Sequence, residues 1–109
     1  MVRFEATRAT IATLTGAPMS GLWQLHFKQV PPVYIESGYG VRQLAYCFKA
    51  KEGEGDLLEK ITGKEIVFSC DPMMPFVRIL AAFTPVEDWH YDMPELGETL
   101  WIEVEEEDE

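Results

Sequence analysis

A chain of 109 residues, 47% hydrophobic and 12% aromatic, carries enough apolar material for a single core, which excludes general disorder. Its net charge is −10, a field that repels nucleic acid and anionic membrane and attracts basic protein surfaces, so direct nucleic-acid binding is not expected. No apolar run approaches the roughly 18 residues a bilayer needs, and the mixed charges of residues 1–8 are not those of a secretory signal, so a cytoplasmic protein is expected.

Residues 3–14, rich in Thr and Ala with β-branched neighbours, read as a strand. The turn chemistry of Thr15-Gly16-Ala17-Pro18 and Ser20-Gly21 ends it. Residues 22–30 alternate cleanly, Trp23, Leu25 and Phe27 against Gln24, His26 and Lys28, which predicts a half-buried strand hairpinned to the first. Pro31-Pro32 cannot donate to a ladder, so pairing stops there and 33–36 reads as a short edge strand. Ser37-Gly38-Tyr39-Gly40 is a loop without the spacing of a phosphate cradle. Residues 41–50 read as another strand, with Leu44, Tyr46 and Phe48 on one face and Ala45 and Cys47 on the other.

After a charged loop at 51–55, Asp56 and Glu59 occupy N-cap and capping-box positions of a short helix over 57–62, with Gly63 as its left-handed end. Residues 65–70 alternate as a strand, and Asp71-Pro72-Met73-Met74-Pro75 is a tight connection. Residues 76–83 fit helical or strand spacing, and their short length between Pro75 and Pro85 favours a strand. A loop rich in Pro, acids and aromatics covers 84–98, and 99–104 is a last strand. These elements make a mainly β fold: a small antiparallel barrel or sandwich of six or seven strands with one short helix. A single domain spans 1–104, its most apolar part at 65–83, and 105–109 is an acidic, disordered tail.

The stretches Tyr46-Cys47-Phe48-Lys49-Ala50, Asp56-Leu57-Leu58, Gly63-Lys64-Glu65-Ile66-Val67-Phe68 and Phe76-Val77-Arg78-Ile79, in that order, resemble a barrel segment of phage tail-hub proteins and the related spike proteins of type VI secretion. The resemblance covers less than half of the chain. Residues 59–62 are inserted against that pattern, and the aromatic-His-Gly usual on the second hairpin strand is missing. It implies a structural, non-enzymatic β-barrel component of a tail or secretion apparatus.

Nothing in the chain assembles an active site. His26 and His90 are the only histidines, the first on the polar face of a strand, the second in an acidic loop as a solvated residue or a pH-sensitive contact. Cys47 and Cys70 belong to no CxxC pair and read as two small buried hydrophobes, with a disulfide as the alternative. Together with the histidines they lack the short spacings of a zinc site, and no calcium loop is present. The chain implies no catalytic residue, metal or cofactor, and is expected not to be an enzyme.

Charge is unevenly distributed. Residues 1–51 hold six Lys or Arg against two acids, a net +4, whereas 52–109 hold three against seventeen, a net −14. The last 23 residues contain eleven acids and three large aromatics. Glu87, Asp88, Trp89, Tyr91, Asp92, Glu95, Glu98 and Glu103 are the candidate protein-binding residues, rings as anchors and acids as steering charge. The competing reading places the rings, Trp101 above all, in the core and leaves the acids as a solubilising face. The expected function is a non-enzymatic protein-binding module: an acidic inhibitor or immunity-type protein, in one version a nucleic-acid mimic, that docks on a basic surface of its target. The alternatives are the structural barrel component above and a small-ligand-binding barrel; the partner and the oligomeric state are left open.

Overall fold

The computed structural model describes residues 2–17, 21–50, 54–74 and 76–105. Most of the acidic tail at 105–109, the turn residues 18–20 and the loop residues 51–53 lie outside that description. In chain order the elements are β1 (Val2–Ala17), β2 (Leu22–Phe27), β3 (Val33–Glu36), α1 (Tyr39–Cys47), α2 (Glu54–Ile61), β4 (Glu65–Cys70), β5 (Leu80–Pro85), a 3-10 turn at Val86–Asp88 and β6 (Thr99–Val104). The fold is mainly β, as the sequence leads one to expect.

β1 is long enough, at 16 residues, to take three antiparallel partners. It pairs with β6 along Val2 to Thr7, with β4 along Thr7 to Thr10 and with β2 from Ile11 to Ala17. Thr7 pairs at once with Phe68 and Thr99, so β4 and β6 lie on opposite edges of β1. A register shift between Ile11 and Thr13 re-aims the strand where it passes to β2. β2 pairs onward with β3, and β4 with β5. The Tyr34 amide then donates to the Arg78 carbonyl at 2.7 Å, and Tyr34 and Ile79 form a parallel bridge. That contact closes a five-stranded barrel in the order β1-β2-β3-β5-β4-β1, with both helices inserted between β3 and β4 and β6 added outside it.

The barrel interior is filled rather than open. Ile11, Leu25, Val33, Ile35, Ile66 and Phe68 are almost completely buried in it, and Leu44 of α1 and Ile61 of α2 join the same cluster. The Phe27 and Phe68 rings stack at 4.7 Å and 3°, packing β2 against β4 across the interior. Each such side chain contributes about 2 kcal/mol by burial. A second, smaller cluster lies on the other face of β1, where Ala6, Val67 and Ile102 are buried beneath Phe4, Val86, Trp89 and Leu100.

Three expectations need correcting. Residues 41–50 form no strand: most of them belong to α1. Val41, Leu44, Ala45 and Phe48 recur at helical spacing and face the core, which leaves Tyr46 83% exposed, and this 3.6-residue stripe overrides the apparent alternation. The helix predicted over 57–62 begins earlier, so Asp56 lies inside α2 rather than capping it; Gly63, at φ +84°, ends it as expected. Residues 76–79 do not belong to the strand predicted over 76–83, because β5 starts at Leu80; before it, only Ile79 makes an isolated bridge.

Candidate functional site

The acidic constellation is carried by the segment that leaves β5 at Val86 and enters β6 at Thr99. Its path is fixed by a ring cluster on β1. Trp89 packs edge-on against Phe4 at 6.3 Å and against Tyr91 at 5.1 Å, and Tyr91 meets Phe4 at 6.0 Å. The Trp89 indole N–H donates to the Asp92 carbonyl at 2.9 Å, so the bend at 89–92 is held by the side chain at its start. Trp89 is therefore a half-buried anchor of its own loop, with little surface left to offer a partner.

Arg8 ties the far end of the segment to the barrel. Its Nε and Nη2 donate to Glu65 Oε1 at 2.9 and 2.6 Å, and Nη1 donates to the Pro94 carbonyl at 3.3 Å. The Arg8 amide donates to the Glu98 carbonyl, and the Gly97 amide to the Arg8 carbonyl at 2.7 Å. Gly97 sits at φ +82°, and a Cβ there would meet Gln29 Cβ at 3.2 Å, so glycine suits this turn on both counts. The Glu95 amide donates to a Glu98 carboxylate oxygen at 3.2 Å, and the Glu98 amide to the Glu95 carbonyl at 2.8 Å, closing the turn.

Between residues 90–92 and β6 lies a surface hollow of about 460 Å3, lined by His90, Tyr91, Asp92, Trp101, Ile102 and Glu103. Trp101 is 59% exposed and Tyr91 45%. The Arg3 guanidinium lies 5.0 Å over the Trp101 ring, and its Nε is 3.2 Å from Glu103 Oε1. Both ends of that ion pair are about half exposed, which limits it to less than about 1 kcal/mol. The arrangement suits a basic side chain: two aromatic faces attract a cation, and two carboxylates accept its hydrogen bonds. Among the described strands β6 pairs only with β1, so its second edge, beside the hollow, is open.

Apart from Trp89, which anchors the loop, the candidate residues fall into three groups. Tyr91, Asp92 and Glu103 meet at the hollow, and Glu95 and Glu98 form the turn beside Arg8. Glu87 and Asp88 sit on the 3-10 turn, where Glu87 lines a separate cleft with Lys49, Lys60 and Lys64. Two features escaped the sequence reading. Trp101 is exposed rather than core, although its position opposite Leu100 and Ile102 in the alternation of β6 already pointed it away from them. The β4–β5 connection presents Phe76 at 98% exposure and Met73 at 82%, large apolar side chains on a loop.

Cys47 and Cys70 are free thiols. Burial pushes the Cys47 thiol above its ordinary range and Asp88 adds to the effect. Burial raises Cys70 as well; Arg78, which donates to it, opposes the shift and Glu5 reinforces it. Among the described residues no group of three His, Cys, Asp or Glu is placed to hold a metal ion, and no helix is long and apolar enough to cross a membrane. No protein-family model, curated protein or solved structure matches the chain.

Proposed function

We propose that the chain is a non-enzymatic docking module that binds a basic surface of a partner protein through the hollow between Tyr91 and Trp101. The observation that carries this reading is the pairing of two exposed rings with the Asp92 and Glu103 carboxylates around one concavity. The −14 of residues 52–109 raises the encounter rate with a basic partner, and the rings supply the short-range contact that holds it. Docking of this kind occludes the partner's basic surface, the way an acidic inhibitor or immunity protein acts.

Affinity capture with the whole chain, at about 50 mM and about 500 mM salt, tests it. A basic partner held at low salt, shed at high salt and lost by Trp101→Ala is the expected result. A partner held equally at both salts, or held undiminished by the combined Asp92→Asn, Trp101→Ala and Glu103→Gln variant, overturns the reading.

A further inference from the structure

We infer that the partner enters the docking site as an extended basic segment that adds a strand to the open edge of β6. This rests on the docking reading above and says what form the partner takes. The phase of the β1–β6 ladder shows what the edge offers. The Arg8 amide donates to the Glu98 carbonyl at 3.2 Å, in the register that pairs Ala6 with Leu100, Phe4 with Ile102 and Val2 with Val104. The Ile11 amide donates to the Lys64 carbonyl, so odd-numbered residues here turn toward β4 and even-numbered ones toward β6. Alternate residues of a strand send their backbone groups to opposite sides, so Leu100, Ile102 and Val104 carry the bonds to β1. The N–H and C=O groups of Thr99, Trp101 and Glu103 therefore point away from β1, into the open edge. Among the described residues no backbone bond from any other element reaches these three.

Side chains flank this edge on both faces of the sheet. Trp101 and Glu103 are exposed on the face that the register shares with Arg3 and Glu5. Tyr91 packs on Phe4, which stands on the opposite face of β1, and Asp92 follows it. The hollow between them runs along the edge, so an added strand alternates its side chains toward Trp101 and Glu103 and then toward Tyr91 and Asp92. β1 already shows what a base does beside β6. Arg3 is the register partner of Glu103, reaches its Oε1 at 3.2 Å and sets its guanidinium 5.0 Å over the Trp101 ring. A Lys or Arg opposite Glu103 on the added strand, with its Cβ about 5 Å away, repeats that arrangement from the free side.

Charge selects the occupant of the edge. Residues 99–109 hold six acids and no base. Pairing two copies of β6 sets these like charges against each other, whereas a basic segment is attracted. Acids alone would serve only to blunt the edge against unwanted pairing. Two exposed rings beside it go beyond that need, because large aromatic faces invite a partner rather than deter one.

The conformation follows from what the edge leaves unsatisfied. Trp101 and Glu103, the two outward-facing residues that line the hollow, offer the backbone N–H and C=O of each to a neighbour. An extended segment pairs with these groups, and its main-chain bonds supply affinity while the rings and carboxylates supply specificity. A helix satisfies its own backbone internally and leaves the edge unpaired.

The test is fluorescence anisotropy of a labelled, end-blocked peptide of about eight residues alternating Lys and Val, titrated with the whole chain. Saturable binding is expected, with hydrogen exchange slowed at least about tenfold at the Trp101 and Glu103 amides. N-methyl groups on one alternate set of peptide residues weaken binding at least about tenfold, and on the other set by less than about threefold, at unchanged charge. Glu103→Pro weakens it beyond Glu103→Gln, because that amide faces away from β1 and the ladder survives its loss. The N-methyl arms use the unaltered chain, so they decide the matter if the Pro variant does not fold. No binding, equal losses from both N-methyl sets, equal affinity for a helix-forming peptide of the same charge, or unchanged exchange at Trp101 and Glu103 each overturn the inference. So does a dimer whose Trp101 and Glu103 amides are protected without peptide. A helical basic peptide that binds the native chain and is lost by Trp101→Ala removes the added strand alone and leaves the docking reading standing; that reading is judged by its own capture experiment.

Discussion

Twelve side chains are buried in the barrel cluster and three in the cluster beneath the acidic segment, although β1 runs through both. The barrel strands pair in series from β3 to β5 and are joined end to end by the Tyr34–Ile79 bridge, whereas the acidic side rests on β6 and on the rings of Phe4, Trp89 and Tyr91. Stability therefore resides in the barrel, and the less supported region carries the exposed rings and acids that a partner could meet.

The largest expected effect tests whether the regions differ as their burial suggests. Phe68→Ala removes one half of the stacked pair in the barrel and should lower stability by about 3–5 kcal/mol in denaturant melts. Trp89→Ala, at a half-buried site, should lower it by about 1–2 kcal/mol and leave the barrel's far-ultraviolet signal intact. If Trp89→Ala unfolds the chain as completely as Phe68→Ala does, the two regions are one cooperative unit and the division is wrong.

Arg8→Met tests the tie between them. Loss of the bonds to Glu65 and to the Pro94 carbonyl should weaken stability by about 1–2 kcal/mol. Hydrogen exchange should quicken at the Gly97 amide and stay unchanged at Ile66. Equal quickening at both would mean that Arg8 supports the barrel and not the segment.

Trp101→Ala should change stability by no more than about 0.5 kcal/mol while lowering partner affinity at least about tenfold. A loss of several kcal/mol would return Trp101 to a structural role.

The smallest effect concerns the thiols. With Cys47 and Cys70 raised in the folded chain, each contributes stability that is complete below the ordinary thiol range near pH 8.5 and is lost as pH climbs through the raised folded value. Reaction with a thiol reagent at about pH 8.5 should be slower for the native chain than for the unfolded one. Equal rates would show that burial does not protect them.

Much of the barrel was legible in the sequence, because β2 and β4 alternate cleanly and Pro31-Pro32 and Gly63 punctuate as their chemistry demands. α1 was misread since Leu44, Tyr46 and Phe48 also alternate; only the core packing of Val41, Leu44, Ala45 and Phe48 decides between periods of two and 3.6. Closure through Tyr34 and Ile79 joins residues 45 positions apart by backbone bonds, which no local pattern announces. The acids at 87–103 were correctly seen as exposed, yet their division among a hollow, a turn and a lysine cleft follows from the path of the chain around Trp89 and Arg8, and that path is tertiary.

Amide correlation spectra of the labelled chain, titrated with a basic peptide, test the docking reading most directly. The account predicts shifts confined to the hollow, at Tyr91, Asp92, Trp101 and Glu103, with Thr15, Gln24 and Tyr34 of the barrel unmoved. No shifts at those four residues, or equal shifts across the barrel, would contradict it.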